Sequence, residues 1–395
     1  MRKKKLLYVT FDVVPSPKGA STHIISFLEA LKKISDEVTL ISLGTAPGIE
    51  ETTLRDVRHI RVGFDETHLF RRVELFRVFL ESHLKDGYYD IVHFRSIWEG
   101  LPVLRLKTEL GYQTLFEVNG LPSIELKYHY PHIVSHKALT EKLKRIEVWA
   151  YRESDCIITP SEVTASLIKS ASIAGRKIHV IPNGVDSSVF YPGKESAPSK
   201  CLSLLYTGTL APWQGMETLI AAMKIIVREV PAHLVILGSG RKHWNRKCRK
   251  LIEKLHLEEQ ITRLPAVSHR EVVKFIQKAD ICIAPLALCD RNIIQGCNPI
   301  KIFEYMACRK AVIASRIAAV EEILTHLVDS LLFTADDPES LAETVLLAWR
   351  DNSLRSQLAE KAYQSAMAHH CWNHAHARLL GIYELIMNTE KTQKR

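Results

Sequence analysis

A lysine and a glutamate three positions apart, Lys301 and Glu304, follow an Asn-Pro pair in "QGCNPIKIFEYMA", residues 295 to 307. Asn298 is a good N-cap and Pro299 is preferred at the first helical position, so the spacing predicts a helix from 299. The N–H groups of Ile300, Lys301 and Ile302 would then leave its N-terminus unpaired, where the helix dipole favours an anion and Lys301 adds a full charge. Glu304 shares a face with Lys301 and offers two acceptor oxygens. A diphosphate on the helix start with ribose hydroxyls on the carboxylate would satisfy both groups, and so would a surface salt bridge between them.

Other residues carry chemistry less specifically. Gly19 in "PSPKGASTHIISFL" lies between a strand and a helix whose expected N-cap is Ser21, where backbone can approach a phosphate or an acceptor. His93 in "DIVHFRSIW" ends an apolar strand and reads either as an acceptor contact or as a satisfied histidine at the core edge. Glu117 in "TLFEVNGLPSIELK" reads as an acceptor-side carboxylate or a buried, paired acid. "LGSGRKH", 237 to 243, lacks the last glycine of a dinucleotide fingerprint. "HHCWNHAH", 369 to 376, gathers four histidines without zinc-protease spacing and reads as a solvated helix start. No Asp-x-Asp occurs in the chain, so no metal site is expected.

The elements that position these groups follow from periodicity. "KLLYVT", "EVTLISL", "IRVGF", "DIVHF", "QTLFEV", "DCIITP" and "IHVIP" alternate mostly with amphipathic stretches, the pattern of βα units in a parallel sheet. "NGVDSSVFYPGKESAPSK", 183 to 200, is rich in Gly, Pro and Ser and reads as a linker. Alternation then restarts with "LSLLYTG", "HLVILG", "ITRLP", "ICIAPL" and "AVIAS", and from about 337 the chain reads as helical. Ligands of such sheets lie at the C-terminal strand ends. "HLFRRVELFRVFLESHLK", 68 to 85, puts Leu69, Val73, Phe76 and Leu80 on one stripe beside Arg71, Arg72 and Arg77. That helix either lies on an anionic membrane or covers a sheet.

With 395 residues, 46% of them hydrophobic and 25% charged, the chain is a globular protein of two domains. No run of about 18 uncharged apolar residues spans a membrane. The basic start "MRKKKLLYVTFDVV" carries Asp12 and no small-residue cleavage site, and reads as a strand. Eight cysteines without CxxC spacing read as reduced core residues of a cytoplasmic protein. A net charge of +9 and a pI near 9.0 favour anionic partners, and no nucleic-acid-binding signature accompanies them.

"NPIKIFEYMACRKAVIAS" resembles the donor-site helix and following strand of GT-B glycosyltransferases of family 4. "VIPNGVDSSVFYP", "LLYTGTLAPWQGMETLI", "LVILGSG", "ADICIAPL" and "TPSE" occur in that family's order. The resemblance implies an α/β fold of two Rossmann-like parallel-sheet domains facing across a cleft. It implies a donor nucleotide-diphosphate sugar, UDP- or GDP-linked, with Lys301 on the diphosphate and Glu304 on the ribose. Gly19 matches the family's glycine loop, and Asn119 stands where the family has a histidine near the transferred sugar. Departures are visible. The family's second glutamate, eight residues before Glu304, is Gly296 here, leaving Gln295, Asn298 or backbone to meet the sugar. Two cations common in the loop around Gly208 are replaced by Thr209 and Gln214. Arg291 is the candidate substitute for one of them, or else pairs with an acid such as Asp290.

The expected organisation is an acceptor-side domain over 1–182, a linker over 183–200, a nucleotide-sugar-binding domain over 201–365, and a C-terminal helix over 366–395 packing back toward the first domain. The expected activity is retaining, metal-independent sugar transfer without a cofactor, with Lys301, Asn119 and His93 nearest the chemistry. Gly19, Gly208, Gln214, Arg291, Gln295, Asn298, Lys301 and Glu304 are the expected donor-binding set. The acceptor is a glycan, lipid-linked or small molecule, reached in the cytoplasm with peripheral contact to an anionic membrane. A nucleotide-sugar epimerase and a non-catalytic sugar-nucleotide-binding scaffold are the alternatives.

Overall fold

β-Branched and aromatic runs become the strands, as their periodicity requires. The computed structural model describes residues 4–35, 37–171, 173–194 and 200–393. The first three residues of the basic start, residues 195–199 of the expected linker and the last two of the expected C-terminal helix lie outside the described residues. The chain divides into two units, Met1–Pro182 with Ala375–Arg395, and Asn183–His374.

The first unit contains β1 (Lys5–Val13), α1 (Gly19–Leu31), β2 (Glu37–Leu43), β3 (Gly48–Leu54), β4 (Val57–Gly63), α2 (Leu69–Asp86), β5 (Ile91–Phe94) and α3 (Ile97–Leu110). It continues through β6 (Gln113–Glu117), α4 (Pro122–His129), α5 (Lys137–Glu153), β7 (Cys156–Thr159), α6 (Glu162–Ser170) and β8 (Ile178–Val180). The sheet order is β3-β4-β2-β1-β5-β6-β7-β8, parallel except for β3, which runs antiparallel to β4. The sequence pattern does not show β3, because "GIEETTL" faces solvent and lacks apolar alternation. Cross-strand pairs Arg58–Glu51 (2.9 Å) and Arg61–Glu50 (2.5 Å) tie it to β4, and its charges blunt an exposed edge.

Helix α2 covers the sheet. Val73, Phe76 and Leu80 are buried in the core with Val92, Phe94 and Val103, and Arg77 donates to the carbonyls of Trp98 (2.7 Å) and Ile97 (2.9 Å). Of the two readings open for this stripe, the cover over a sheet is the observed one.

The second unit contains β9 (Leu202–Thr207), α7 (Met216–Glu229), β10 (Ala232–Leu237), α8 (Lys242–Leu255), β11 (Ile261–Leu264), α9 (His269–Lys278) and β12 (Ile281–Ala284). Then come α10 (Ile300–Ala307), β13 (Ala311–Ser315), α11 (Ala318–Glu321), β14 (Leu331–Phe333), α12 (Pro338–Arg350), α13 (Asn352–His369) and α14 (Trp372–Gln393). The all-parallel order β11-β10-β9-β12-β13-β14 is the doubly wound 3-2-1-4-5-6 arrangement. Residues 183–194, read from composition as linker, are bonded into this unit: Val185 pairs with His370 and Trp372, and Gln277 donates to the Tyr191 carbonyl. From Ala375 onward α14 belongs to the first unit, where His376 Nε2 lies 2.8 Å from Ser26 Oγ. No described helix is long and apolar enough to cross a membrane.

Candidate active site

In a doubly wound sheet the switch point opens beside the first strand, here between β9 and β12. The loops leaving these strands are stitched together. Ala287 N donates to the Trp213 carbonyl (3.1 Å), and Asn292 Nδ2 donates to the carbonyls of Trp213 and Ala287, both at 2.8 Å. Gly215, at φ +63°, is pressed so closely on the Pro285 carbonyl that a Cβ would fall 1.6 Å from its oxygen. Only glycine permits that approach.

Helix α10 begins at Ile300, one residue later than the Asn-Pro signal implies. Asn298 does not cap it. Its Oδ1 accepts from Asn183 N (2.7 Å) and its carbonyl from Asn183 Nδ2 (2.6 Å), so it anchors the loop. The Ile302 N–H is also engaged, by the Pro299 carbonyl at 3.1 Å. Of the three N–H groups expected to point out of this end, that of Ile302 is thus engaged, and the Lys301 side chain lies beside the helix start. Its Nζ donates to Gln214 Oε1 (2.7 Å) and sits 3.9 Å from the centroid of the Tyr206 ring. Tyr206 OH lies 2.9 Å from the Thr209 carbonyl and 3.0 Å from Gln214 Oε1, its single proton shared between the two acceptors. Gly208, at φ +129°, leaves the space: a Cβ there would lie 2.9 Å from Lys301 Nζ. Burial pushes the Lys301 ammonium down to about 7, against the pull of Glu304.

Glu304 is 6% exposed, with Oε1 3.7 Å from His269 Nε2. Burial raises its pKa, opposed by His269 and Lys301. Lys301 and Glu304 thus face different partners and do not close into a surface salt bridge. The Arg291 guanidinium lies 4.8 Å from the centroid of Trp213, the residue before Gln214, which brings the suspected replacement cation to this loop pair. Gln295 is buried. Gly296 has φ +86° and ψ 165°, a conformation essentially reserved for glycine, so the backbone itself departs from one that could carry the family's glutamate.

In the first unit the corresponding strand ends belong to β1, β5 and β6. Glu117, 2% exposed, is a hub. Its Oε2 accepts from Tyr8 OH (2.5 Å) and lies 3.0 Å from His93 Nε2. Its Oε1 accepts from Arg95 Nε (2.9 Å) and Asn119 Nδ2, and lies 2.8 Å from His23 Nε2. Burial pulls the Glu117 pKa upward, but His23 and Arg95 together hold it well below the usual carboxylate range. Of the two readings open in the sequence, the buried, paired acid is the observed one.

His93 is fully buried, with its ring stacked on Tyr8 at 4.2 Å and Nδ1 2.9 Å from Tyr383 OH. Both ring nitrogens face protein groups, the arrangement of a satisfied histidine at the core edge, and burial lowers its pKa toward the neutral ring. Asn119 is half-buried. Gly19 is exposed at the start of α1, while Ser21 lies inside the helix and accepts from Ser16 N (2.9 Å) instead of capping. The histidines at 369–376 diverge: the His370 ring packs 4.8 Å from Phe303, and His376 meets Ser26. Among the described residues no group of three His, Cys, Asp or Glu could hold a metal.

The two units, each built on a doubly wound sheet, have the GT-B fold. The sequence matches the family Glycosyltransferase Family 4 over residues 17–189 and Glycosyl transferases group 1 over residues 190–365, and the chain belongs to the family 4 type of these enzymes. A D-inositol 3-phosphate glycosyltransferase of Xylanimonas cellulosilytica is 23% identical over 92% of this chain and 91% of its own. Sucrose-phosphate synthase of Thermosynechococcus elongatus superposes with a TM-score of 0.82 at 19% identity, over 98% of this chain and all of that one. Anabaena HepE, solved with UDP and glucose, gives 0.75 at 14% identity over 96% and 99%.

Several functional neighbours were missed by sequence reasoning. Tyr206 lies in an ordinary apolar strand, and Trp213 in a turn without periodicity. His23, Tyr8 and Arg95 meet only through the tertiary fold, so no local signal marks them.

Proposed function

We propose that this glycosyltransferase moves a sugar, with retention of configuration and without a divalent cation, from a nucleotide-diphosphate sugar to an acceptor hydroxyl. One observation carries the reading: Lys301 and Glu304 stand one turn apart on α10, Lys301 half-buried and Glu304 buried, each turned to a different partner. Lys301 and Arg291 would stabilise charge growing on the departing diphosphate, and Glu304 would accept hydrogen bonds from ribose hydroxyls. The leaving diphosphate would take the acceptor proton, a route that needs no imidazole base and suits the sealed position of His93. Asn119 would meet a hydroxyl from the first unit.

The UDP-bound neighbour favours uridine over guanosine as the donor base. The inositol-phosphate transferase places a cyclitol phosphate among the acceptors worth testing, beside glycans and lipid-linked sugars. Eight cysteines, none in a disulfide among the described residues, fit a cytoplasmic setting. The test is incubation with UDP-glucose and an acceptor pool, reading the anomeric configuration of the product by NMR. A product retaining the donor's configuration is expected. Interconversion of free nucleotide sugar without acceptor would make the chain an epimerase, and binding without turnover would make it a scaffold.

A further inference from the structure

Between α7 and α8 of the second unit, against the loop that follows β9, lies a cavity of about 320 Å³ that the transfer chemistry does not use. Gln214, Lys301 and Glu304 are not among its lining residues. Met216, Ile220, Trp244 and Leu251 give it apolar walls. An apolar cavity of about 150 Å³ already holds benzene, so this one has room for one or two rings.

Two polar groups line this apolar space without a partner. Thr218 is 7% exposed and Cys248 6% exposed, and neither side chain hydrogen-bonds to another described residue. Buried polar groups are ordinarily paired, so two unpaired ones on a single cavity point to a ligand that meets them. Both are neutral, since burial raises the Cys248 pKa and keeps the group a thiol. Each can donate as well as accept, which suits a hydroxyl or an N–H, whereas an ionised group would be desolvated there without a countercharge. At the exposed rim Glu217 is paired with Lys247, and Asp336 adds a second carboxylate, so the lining offers an anion no net attraction.

The cavity is also walled by the donor-side loop. Leu210, Pro212 and Gly215 line it, and Gln214, the acceptor of Lys301, belongs to the same loop. Ala287, whose N–H holds the Trp213 carbonyl, is a further lining residue. A molecule seated here packs against the segment that orients Lys301.

We propose that this cavity is an effector site for a small neutral aromatic molecule carrying a hydroxyl or an N–H, and that its occupant steadies the loop and tightens donor binding. The coupling rests on the donor reading of Lys301, and the binding site does not. By linkage, the donor tightens the effector by the same factor.

The test uses the full chain and ligand-observed NMR affinities for indole, phenol and benzoate. Indole and phenol are expected to bind, and benzoate at least about tenfold more weakly. Cys248→Phe, which fills the cavity, should abolish indole binding at unchanged UDP affinity. Thr218→Val, which keeps the shape and removes the hydroxyl, should weaken phenol by about fivefold. Calorimetric titration of UDP in saturating indole should give a dissociation constant about threefold lower than without it, and Cys248→Phe should lose that response. Absence of indole and phenol binding, affinities indifferent to Cys248→Phe and Thr218→Val, benzoate bound as tightly as phenol, or a UDP constant unmoved by indole would each overturn the proposal. Failure of UDP itself to bind would count against the donor reading, and the indole and phenol affinities would still decide the cavity.

Discussion

The Nζ of Lys301 donates to Oε1 of Gln214 across 2.7 Å, joining the helix after one switch-point strand to the loop after the other. Gln214 stands where the family commonly supplies a cation, and here it orients one. Gln214→Ala should leave Lys301 over the Tyr206 ring without its acceptor, and lower affinity for UDP-glucose by roughly fivefold, about 1 kcal/mol. Calorimetric titration reads the change, and an unaltered constant would show that the amide is incidental.

The same lysine makes donor binding pH-dependent. Its pKa of about 7 is set by burial, partly offset by Glu304 and Cys297 and lowered further by Arg291. The ammonium form binds the diphosphate, so the bound pKa is the higher one and binding takes up a proton above pH 7. Affinity for UDP-glucose, whose bridging diphosphate does not titrate here, should be level below pH 7 and fall toward tenfold per unit above it. Titrations in buffers of different ionisation enthalpy should show the proton uptake, and Lys301→Ala should abolish the slope.

Gly208 controls the room around Lys301. Alanine there adopts φ +129° with strain and puts a methyl 2.9 Å from Nζ. Gly208→Ala should cost about 1 kcal/mol or more of stability and displace the ammonium, lowering kcat/KM by about tenfold. Thermal unfolding and steady-state kinetics measured together check both.

Restoring the family's glutamate at 296 should not restore its function. At φ +86° and ψ 165° a side chain is strained, so Gly296→Glu is expected to lose about 1–3 kcal/mol of stability with no gain in turnover. Urea denaturation measures the first quantity. A stable, faster variant would mean that the loop readily adopts another backbone.

Much of this architecture was legible because it is written in local periodicity. Alternating βα units and the short helix that sets Lys301 and Glu304 one turn apart, expected from 299 and observed from Ile300, follow from residues within a few positions of one another. The exceptions are physical. β3 is polar and sits at an edge, and β14 is three residues long, so neither leaves a pattern. Asn298 looked like a helix cap but bonds Asn183, 115 positions earlier, because a tertiary partner satisfied it better than the adjacent turn. His93 read either as an acceptor contact or as a satisfied core-edge histidine, and its partners Tyr383 and Glu117 come from elements that its own neighbourhood does not announce. The sites were therefore readable as residue types at strand ends, and their hydrogen-bond polarity was readable only from the fold.

The most direct measurement is calorimetric titration of UDP into the wild-type chain, Lys301→Ala and Glu304→Ala, with folding confirmed by thermal unfolding. A donor site on α10 predicts that each substitution weakens UDP by at least about tenfold, or 1.4 kcal/mol. Wild-type affinity in a well-folded Glu304→Ala protein would contradict it.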